Sequence, residues 1–264
     1  MQAMLAAGDN CHWVKDLQHS ECFSVALLDS TVVGYLFASI EKDNCQIYIY
    51  VLPEYRRRGI GTAICHEAER LCREINEPEM WGTYYNTETK HFADKLNFYF
   101  TSSSVHFEYT GDILPEPEIC KNIRKCREVD LLQSRTLWGK AWYEIELIMD
   151  YPDAKVHDPD MPDVITKDDI DGNYVLEVDG QIIGIGSAKD GSFGSLAVEK
   201  EHAGKGYGTA IATYMLNEML REGHKVVESC CVEGNIGSHR VHDKLGFKLV
   251  NKSYCAHKRI EKVV

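Results

Sequence analysis

Apolar and polar positions along the chain change rhythm in a regular succession. Phe23 to Leu28 and Thr31 to Ile40 are apolar, β-branched runs separated by Asp29-Ser30, which predicts a hairpin, and Gln46 to Val51 predicts the next strand. Ile64, Ala68, Leu71, Cys72 and Ile75 then recur at helical spacing with Pro78 just beyond, which predicts a helix. Trp81 to Tyr85 reads as a strand, Lys90 to Leu96 as a short helix, and Phe98 to Tyr109 as two strands turning at the Thr-Ser-Ser-Ser run. Gly111 to Pro117, with two prolines among acidic residues, reads as a linker. Ile119 to Val129 and Ser134 to Met149 predict two helices, the second with Trp138, Trp142, Ile145 and Met149 along one face. After the acidic stretch Pro152 to Asp171, Tyr174 to Val178 and Gln181 to Ala188 predict a second hairpin, and Ser192 to Val198 a strand. Ile211, Met215, Leu216, Met219 and Leu220 mark a helix ended by Gly223; Lys225 to Val232 is a strand, His239 to Leu245 a short helix, and Lys248 to Ile260 the closing strand. Before all this, Trp13, Val14 and Leu17 support at most one small helix in residues 1 to 21.

The succession occurs twice. Val51-Leu52-Pro53-Glu54-Tyr55-Arg56-Arg57-Arg58-Gly59-Ile60-Gly61 aligns with Val198 to Gly208 at an offset of 147 (Gly206 minus Gly59). Asn86 to Phe98 aligns with Asn235 to Phe247 at 149 (Asn235 minus Asn86), and Leu28 to Gly34 with Val178 to Gly184 at 150 (Asp179 minus Asp29). Three landmarks in one order at nearly one spacing are an internal repeat, and a period this long is a duplicated domain.

At the centre of each copy a strand runs into a polar loop whose glycines open a helix. A helix start leaves backbone N–H groups unpaired at the positive end of the dipole, and glycines let an anion approach the main chain. The expected ligand is a pyrophosphate. Neither standard alternative fits: a dinucleotide fingerprint needs a third glycine where Thr209 stands, and a P-loop needs Gly-Lys-Ser/Thr after its glycines.

Strand, Arg/Gln-x-x-Gly-x-Gly/Ala, helix, then Asn and a short helix ending Leu-Gly-Phe resembles the GCN5-related N-acetyltransferases (GNAT), here in tandem, over roughly residues 22 to 109 and 165 to 260. The resemblance implies an α/β fold: two tandem domains, each a mostly antiparallel mixed sheet with flanking helices and a splayed parallel strand pair. It also implies acetyl-CoA as cofactor and acyl transfer to a primary amine. The expected domains are 1–110, with an abbreviated start, and 111–264, with room for the two helices that precede the hairpin in the family. The cofactor-binding residues then implied are Leu196, Ala197 and Val198 on the strand, Ala203, Gly204, Lys205, Gly206, Tyr207, Gly208 and Thr209 on the loop, and Asn235 and Ser238 beyond the next strand. In the first copy they are Val51, Arg56, Arg57, Arg58, Gly59, Ile60, Gly61 and Thr62, where three arginines add charge-assisted contacts to the amides.

Acyl transfer from a thioester to an amine needs a base, because an ammonium has no lone pair; a donor for the oxyanion; and an acid for the departing thiolate. The family's oxyanion donor is a main-chain amide, here Val198 or Val51. Its acid, four residues before the glycine of Leu-Gly-Phe, falls on His242 in the second copy and on Ala93 in the first. A histidine titrates near neutrality and alanine does not. His242 also reads as a helix histidine partnered with His239, and Tyr254 is the fallback acid. For the base, Glu228 on the strand beside the cleft, Glu177 on the hairpin, Asp190 and a water chain stay open. The difference between Ala93 and His242 places catalysis in the second half. Trp138 and Trp142 read as core packing first; the resemblance implies that their region roofs the acceptor site, which makes them acceptor-pocket residues second.

Composition sets outer limits. A chain of 264 residues has room for two cores, and a formal net charge of −12 argues against nucleic-acid or anionic-membrane surfaces while favouring cationic ligands. The start lacks the pattern of a signal peptide and no stretch approaches a membrane span, so a cytoplasmic protein is expected. Ten cysteines without zinc spacing read as reduced, packing thiols, and no metal is expected. A non-catalytic coenzyme A sensor or scaffold is the competing class, supported by Ala203 and Asn97 at departures from the family pattern; transfer of a longer acyl chain is a third reading. The acceptor is not specified by the sequence.

Overall fold

A computed structural model of the chain describes residues 22–41, 44–151, 154–159, 161, 162 and 164–261, so the small helix expected near Trp13 lies outside the described residues. The elements are β1 (Cys22–Leu28), β2 (Thr31–Glu41), β3 (Asn44–Val51), α1 (Ile60–Glu74), β4 (Glu79–Tyr84), α2 (Thr87–Lys95), β5 (Tyr99–Tyr109), β6 (Ile123–Lys125), α3 (Leu131–Ile148), β7 (Asn173–Val178), β8 (Gln181–Lys189), β9 (Ser192–Val198), α4 (Tyr207–Arg221), β10 (Val227–Val232), α5 (Ile236–Leu245) and β11 (Lys248–Arg259).

The chain forms two compact units. One takes the residues up to Thr101 and resumes at Tyr254; the other is Ser102–Ser253. The division thus falls at two places, neither of them the 110/111 boundary expected from the sequence. Strand pairing is the reason: Ser104 to Tyr109 of β5 pair with β10, and Tyr254 to Arg259 of β11 pair with β4.

In the first unit the strand order is β1-β2-β3-β4 followed by the end of β11, antiparallel except for β3 and β4. Alternation turns Leu36, Ala38, Cys45 and Ile47 onto Ile64, Cys65, Ala68 and Cys72 of α1. Burial pushes the Cys65 thiol up to about 12, as suits a packed rather than a reactive thiol.

In the second unit the order is β5-β10-β9-β8-β7-β6, with β9 and β10 parallel. Helix α4 covers one face through Ile211, Met215 and Leu216, and α3 covers the other, where Leu131 and Leu137 meet Val175, Ile182, Ile185 and Ala197. The repeated glycine of each hairpin lets the helix come close: a Cβ on Gly34 would stand 2.9 Å from Ile64 Cδ1, and one on Gly184 2.6 Å from Ile211 Cδ1.

Two expectations are corrected. The Thr-Ser-Ser-Ser run does not turn; it lies inside the unbroken β5, because its hydroxyls find partners, Thr101 on the Cys255 carbonyl at 3.2 Å and Ser103 on Glu233 at 2.6 Å. Residues 119–129 form no α-helix but 3-10 turns around the short β6, so one long helix, not two, precedes the hairpin. Here tertiary bonds override the apolar spacing, since Ile123 pairs with Leu176 and Arg124 bridges Asp130 and Glu177, both at 2.6 Å.

The segment read as a linker is held down by side chains of β5 and α4: the Tyr109 hydroxyl donates to the Asp112 carbonyl and Arg221 to Glu116. Asn217 of α4, 0% exposed, accepts from the Leu114 N–H at 2.9 Å and donates to the Leu114 carbonyl at 2.8 Å and to Glu116 at 2.9 Å. A buried amide satisfied in this way is costly to break.

A fragment beginning at residue 111 lacks the strand that supplies Val105, Phe107 and Tyr109 to the second core. It is expected to show no cooperative melting transition in calorimetry, whereas a Ser102–Ser253 fragment is expected to show one.

Candidate active site

In the second unit β9 and β10 are registered at a single parallel pair, Ser192 with Glu228. Beyond it β9 follows β8, with Val198 opposite Gly184, and β10 follows β5, with Val232 opposite Ser104, so the two strands diverge. The Glu199 N–H donates to the Ile183 carbonyl at 2.9 Å, and ladder alternation therefore turns the Val198 amide away from β8, into the gap.

After β9 a 3-10 turn (Lys200–His202) leads to Gly206, the N-cap of α4, at φ 89. Gly204 has φ 76, and a Cβ on either glycine would meet nothing within 4 Å, so these glycines serve a left-handed backbone under an open surface rather than tight packing. No side chain caps α4 and no acidic residue lies in its first turn. The first intrahelical bond runs from the Ala210 N–H to the Gly206 carbonyl at 3.0 Å, which leaves the Tyr207, Gly208 and Thr209 amides at the positive end of the helix. Together with Lys205, this arrangement fits a diphosphate.

The first unit repeats the geometry. β3 and β4 share one parallel pair, Gln46 with Trp81, and the Leu52 N–H donates to the Val33 carbonyl at 2.9 Å, which turns Val51 toward the gap. Gly59 caps α1 at φ 83, also without a side-chain cap. The residues preceding Gly59 differ from those of the second loop. Arg57, at the position of Gly204, adopts φ 63, and Arg56, at the position of Ala203, donates from Nε to the Val51 carbonyl at 3.0 Å.

The candidate catalytic residues are distributed as follows. His242 is buried, 5% exposed, and stacks on Phe107 at 4.2 Å. Its Nδ1 faces the Ser238 carbonyl at 2.8 Å, which fixes the proton there, and its Nε2 accepts from the Ser229 hydroxyl at 2.8 Å. Burial holds its pKa below the usual histidine range, so the ring is neutral and its one proton is already engaged. Ser229 and Phe107, which enclose it, were not singled out from the sequence; alternation from Val227 on β10 was the available signal. The same alternation puts Glu228 on the opposite face, the one that α3 covers, and its N–H donates to the Gly191 carbonyl at 2.8 Å. Tyr254 lies in the first unit, stacked on Tyr84 at 5.1 Å. Glu177 is bonded to Arg124, and Asp190 occupies a left-handed turn position at φ 52. Asn235 caps α5 by accepting from the Ser238 N–H at 3.0 Å, as Asn86 caps α2 from the Thr89 N–H at 2.9 Å. Among the described residues no cluster of His, Cys, Asp and Glu could hold a metal, and no helix is long and apolar enough to cross a membrane.

Residues 3–98 and 139–247 match the family model described as the acetyltransferase (GNAT) family. The chain belongs to that family. Solved structures with the same fold include a tandem GNAT protein from the clavulanic acid biosynthesis pathway, 17% identical with a TM-score of 0.68, the match covering 96% of this chain and 88% of that one. Another is a GCN5-related N-acetyltransferase from Sphaerobacter thermophilus, 17% identical with a TM-score of 0.65, covering 89% and 79%. No curated protein matches the sequence significantly. As a GNAT-family chain it carries two splayed strand pairs, each followed by a glycine-capped helix, and the tandem α/β architecture expected from the repeat is present.

Two measurements check this local physics. Gly206→Val forces a branched side chain into left-handed backbone and is expected to cost about 1–2 kcal/mol in urea unfolding. The bonds from Arg124 outweigh burial and, with those from Arg127, hold the Asp130 carboxyl well below its usual range. That contribution is fully present above the unfolded value of about 3.9 and is lost as pH falls through the folded one. Urea midpoints of Asp130→Asn should therefore lie below the parent's at neutral pH and converge with them in acid.

Proposed function

We propose that this GNAT-family chain is an acetyl-CoA-dependent N-acetyltransferase of the cytoplasm that acts on a primary amine, with turnover in the second unit. The observation that carries the reading is the divergence of β9 and β10 just before the Gly206-capped helix, which puts a strand amide and three helix-start amides along one path. Acetyl-CoA supplies a thioester whose acetyl group the amine takes. The Tyr207, Gly208 and Thr209 amides and Lys205 would hold its diphosphate, and the Val198 N–H would donate to the acetyl oxygen.

Glu228, on the face covered by α3, is the residue we assign to the amine's proton, directly or through one water. His242 we assign to positioning, since it gives its proton to the Ser238 carbonyl, stacks on Phe107 of β5 and accepts from Ser229 of β10. The first unit is proposed to bind coenzyme A without turnover. Its glutamate at the offset of 149 from Glu228 is Glu79 (228 minus 149), which accepts from Tyr99 and from His257 Nδ1, the latter at 2.9 Å. Burial pulls the Glu79 carboxyl upward, but these bonds outweigh it and leave the pKa below the usual range, which makes Glu79 a poor base. One observation favours a second reading, a coenzyme A sensor: the second loop has Ala203 where the first has Arg56.

Calorimetric titration with acetyl-CoA, followed by thiol release with a panel of amines, separates the two readings. Tight binding without an acetylated product from any amine would favour the sensor. Under the enzyme reading, Glu228→Gln is expected to lower kcat/KM by about 10²–10³ with acetyl-CoA affinity retained. His242→Ala is expected to lower Tm while leaving the shape of the pH–rate profile unchanged.

A further inference from the structure

On the α3-covered face of the second unit two large rings lie together in the open. Trp138 and Trp142, one turn apart, stack with centroids 5.6 Å apart and planes 6° from parallel, yet remain 41% and 38% exposed. Tryptophan offers a wide, rigid apolar face, and a ring left in water rather than packed in the core is available to a ligand. The pair is also anchored. Trp138 Nε1–H donates to Ser195 Oγ at 2.9 Å, and the Ser195 N–H donates to Ser187 Oγ at 2.6 Å. Ser195 lies on β9 beyond Ser192, the last residue registered with β10, so the rings are fastened to the arm that carries Val198. Glu228 occupies the same face of the sheet.

The surroundings narrow the chemistry. Lys140 pairs with Glu199 at 2.9 Å, Lys200 with Glu144 at 3.0 Å, and His157 with Glu146 at 2.8 Å. Two of these carboxylates face a lysine and the third is hydrogen-bonded to a histidine, so the exposed surface between them is aromatic. The segment carrying His157 crosses α3 at Gly139, where a Cβ would stand 2.3 Å from the His157 carbonyl oxygen, while Trp138 and Trp142 on either side of that crossing stay partly exposed.

We propose that the Trp138–Trp142 pair is the acceptor platform, selecting amines carried on a ring with a flat apolar face, an aryl group or one face of an amino sugar, over open-chain polyamines. The proposal rests on the acetyltransferase reading for the place of transfer. Stacking holds the ring while the amine reaches toward the gap beside Val198.

The test uses the full chain and three probes: phenylethylamine, glucosamine and putrescine. Thiol release with acetyl-CoA gives KM and kcat, and indole fluorescence during titration without acetyl-CoA gives binding alone. A saturable fluorescence change is expected with at least one ring amine and not with putrescine, and the two ring probes distinguish aryl from sugar. Trp142→Leu is expected to raise KM for the ring amine about tenfold, with kcat and acetyl-CoA affinity within about twofold, and Trp142→Phe, which keeps a ring, to recover most of the loss. An unchanged KM in Trp142→Leu, or preference for putrescine over both ring amines, overturns the proposal. If acetyl-CoA binds but no amine is acetylated, the acetyltransferase reading fails and fluorescence alone decides the platform: saturation by a ring amine that Trp142→Leu abolishes supports it, and a flat titration overturns it.

Discussion

The second unit depends on two parallel strands that pair once and then part. A diverging pair leaves main-chain groups on its inner edges without the ladder that would satisfy them, and buried backbone groups do not tolerate this unless something else fills the gap. Each arm must therefore be held from its outer side: β9 by β8, β10 by β5. The first unit has the same requirement, met by β2 for β3 and by the end of β11 for β4. The strands that complete each unit come from the other half of the sequence, so the duplicated halves are not separable at the point where the repeat begins again.

The second constraint is left-handed backbone at the helix starts. Gly59 and Gly206 share it, but at the preceding left-handed position one unit has glycine and the other Arg57 at φ 63. A side chain there costs about 1 kcal/mol, which the first unit accepts in exchange for local positive charge. Arg56 extends the contrast by bonding the Val51 carbonyl, a contact Ala203 cannot make. One backbone plan thus carries two electrostatic environments, one dense in guanidinium and one resting mainly on amides.

Much of this was legible in the sequence because it is written in repeated local features. The Gly34 and Gly184 landmarks mark where a helix presses on a hairpin, the Asn86 and Asn235 landmarks are helix caps, and the glycine loops are left-handed turns. What escaped depends on partners distant in the chain. Serines at 102–104 resemble a turn until β10 pairs with β5, and Ile119, Cys120 and Ile123 resemble a helix until β6 pairs with β7. His242 could be placed on a helix, but its neutrality comes from burial, and the strands carrying Phe107 and Ser229 that enclose it are brought to it only by the fold. The exposure of the tryptophan pair was likewise invisible to periodicity, which assigns a face to a residue but not what covers that face.

The most direct measurement of the central claim is amide hydrogen exchange of the full chain with and without coenzyme A. The account predicts slowed exchange at Val198 and at Tyr207, Gly208 and Thr209, and at the corresponding amides of the first unit if its cradle also binds. Coenzyme A binding that leaves these amides unchanged, with protection confined to other segments, would contradict it.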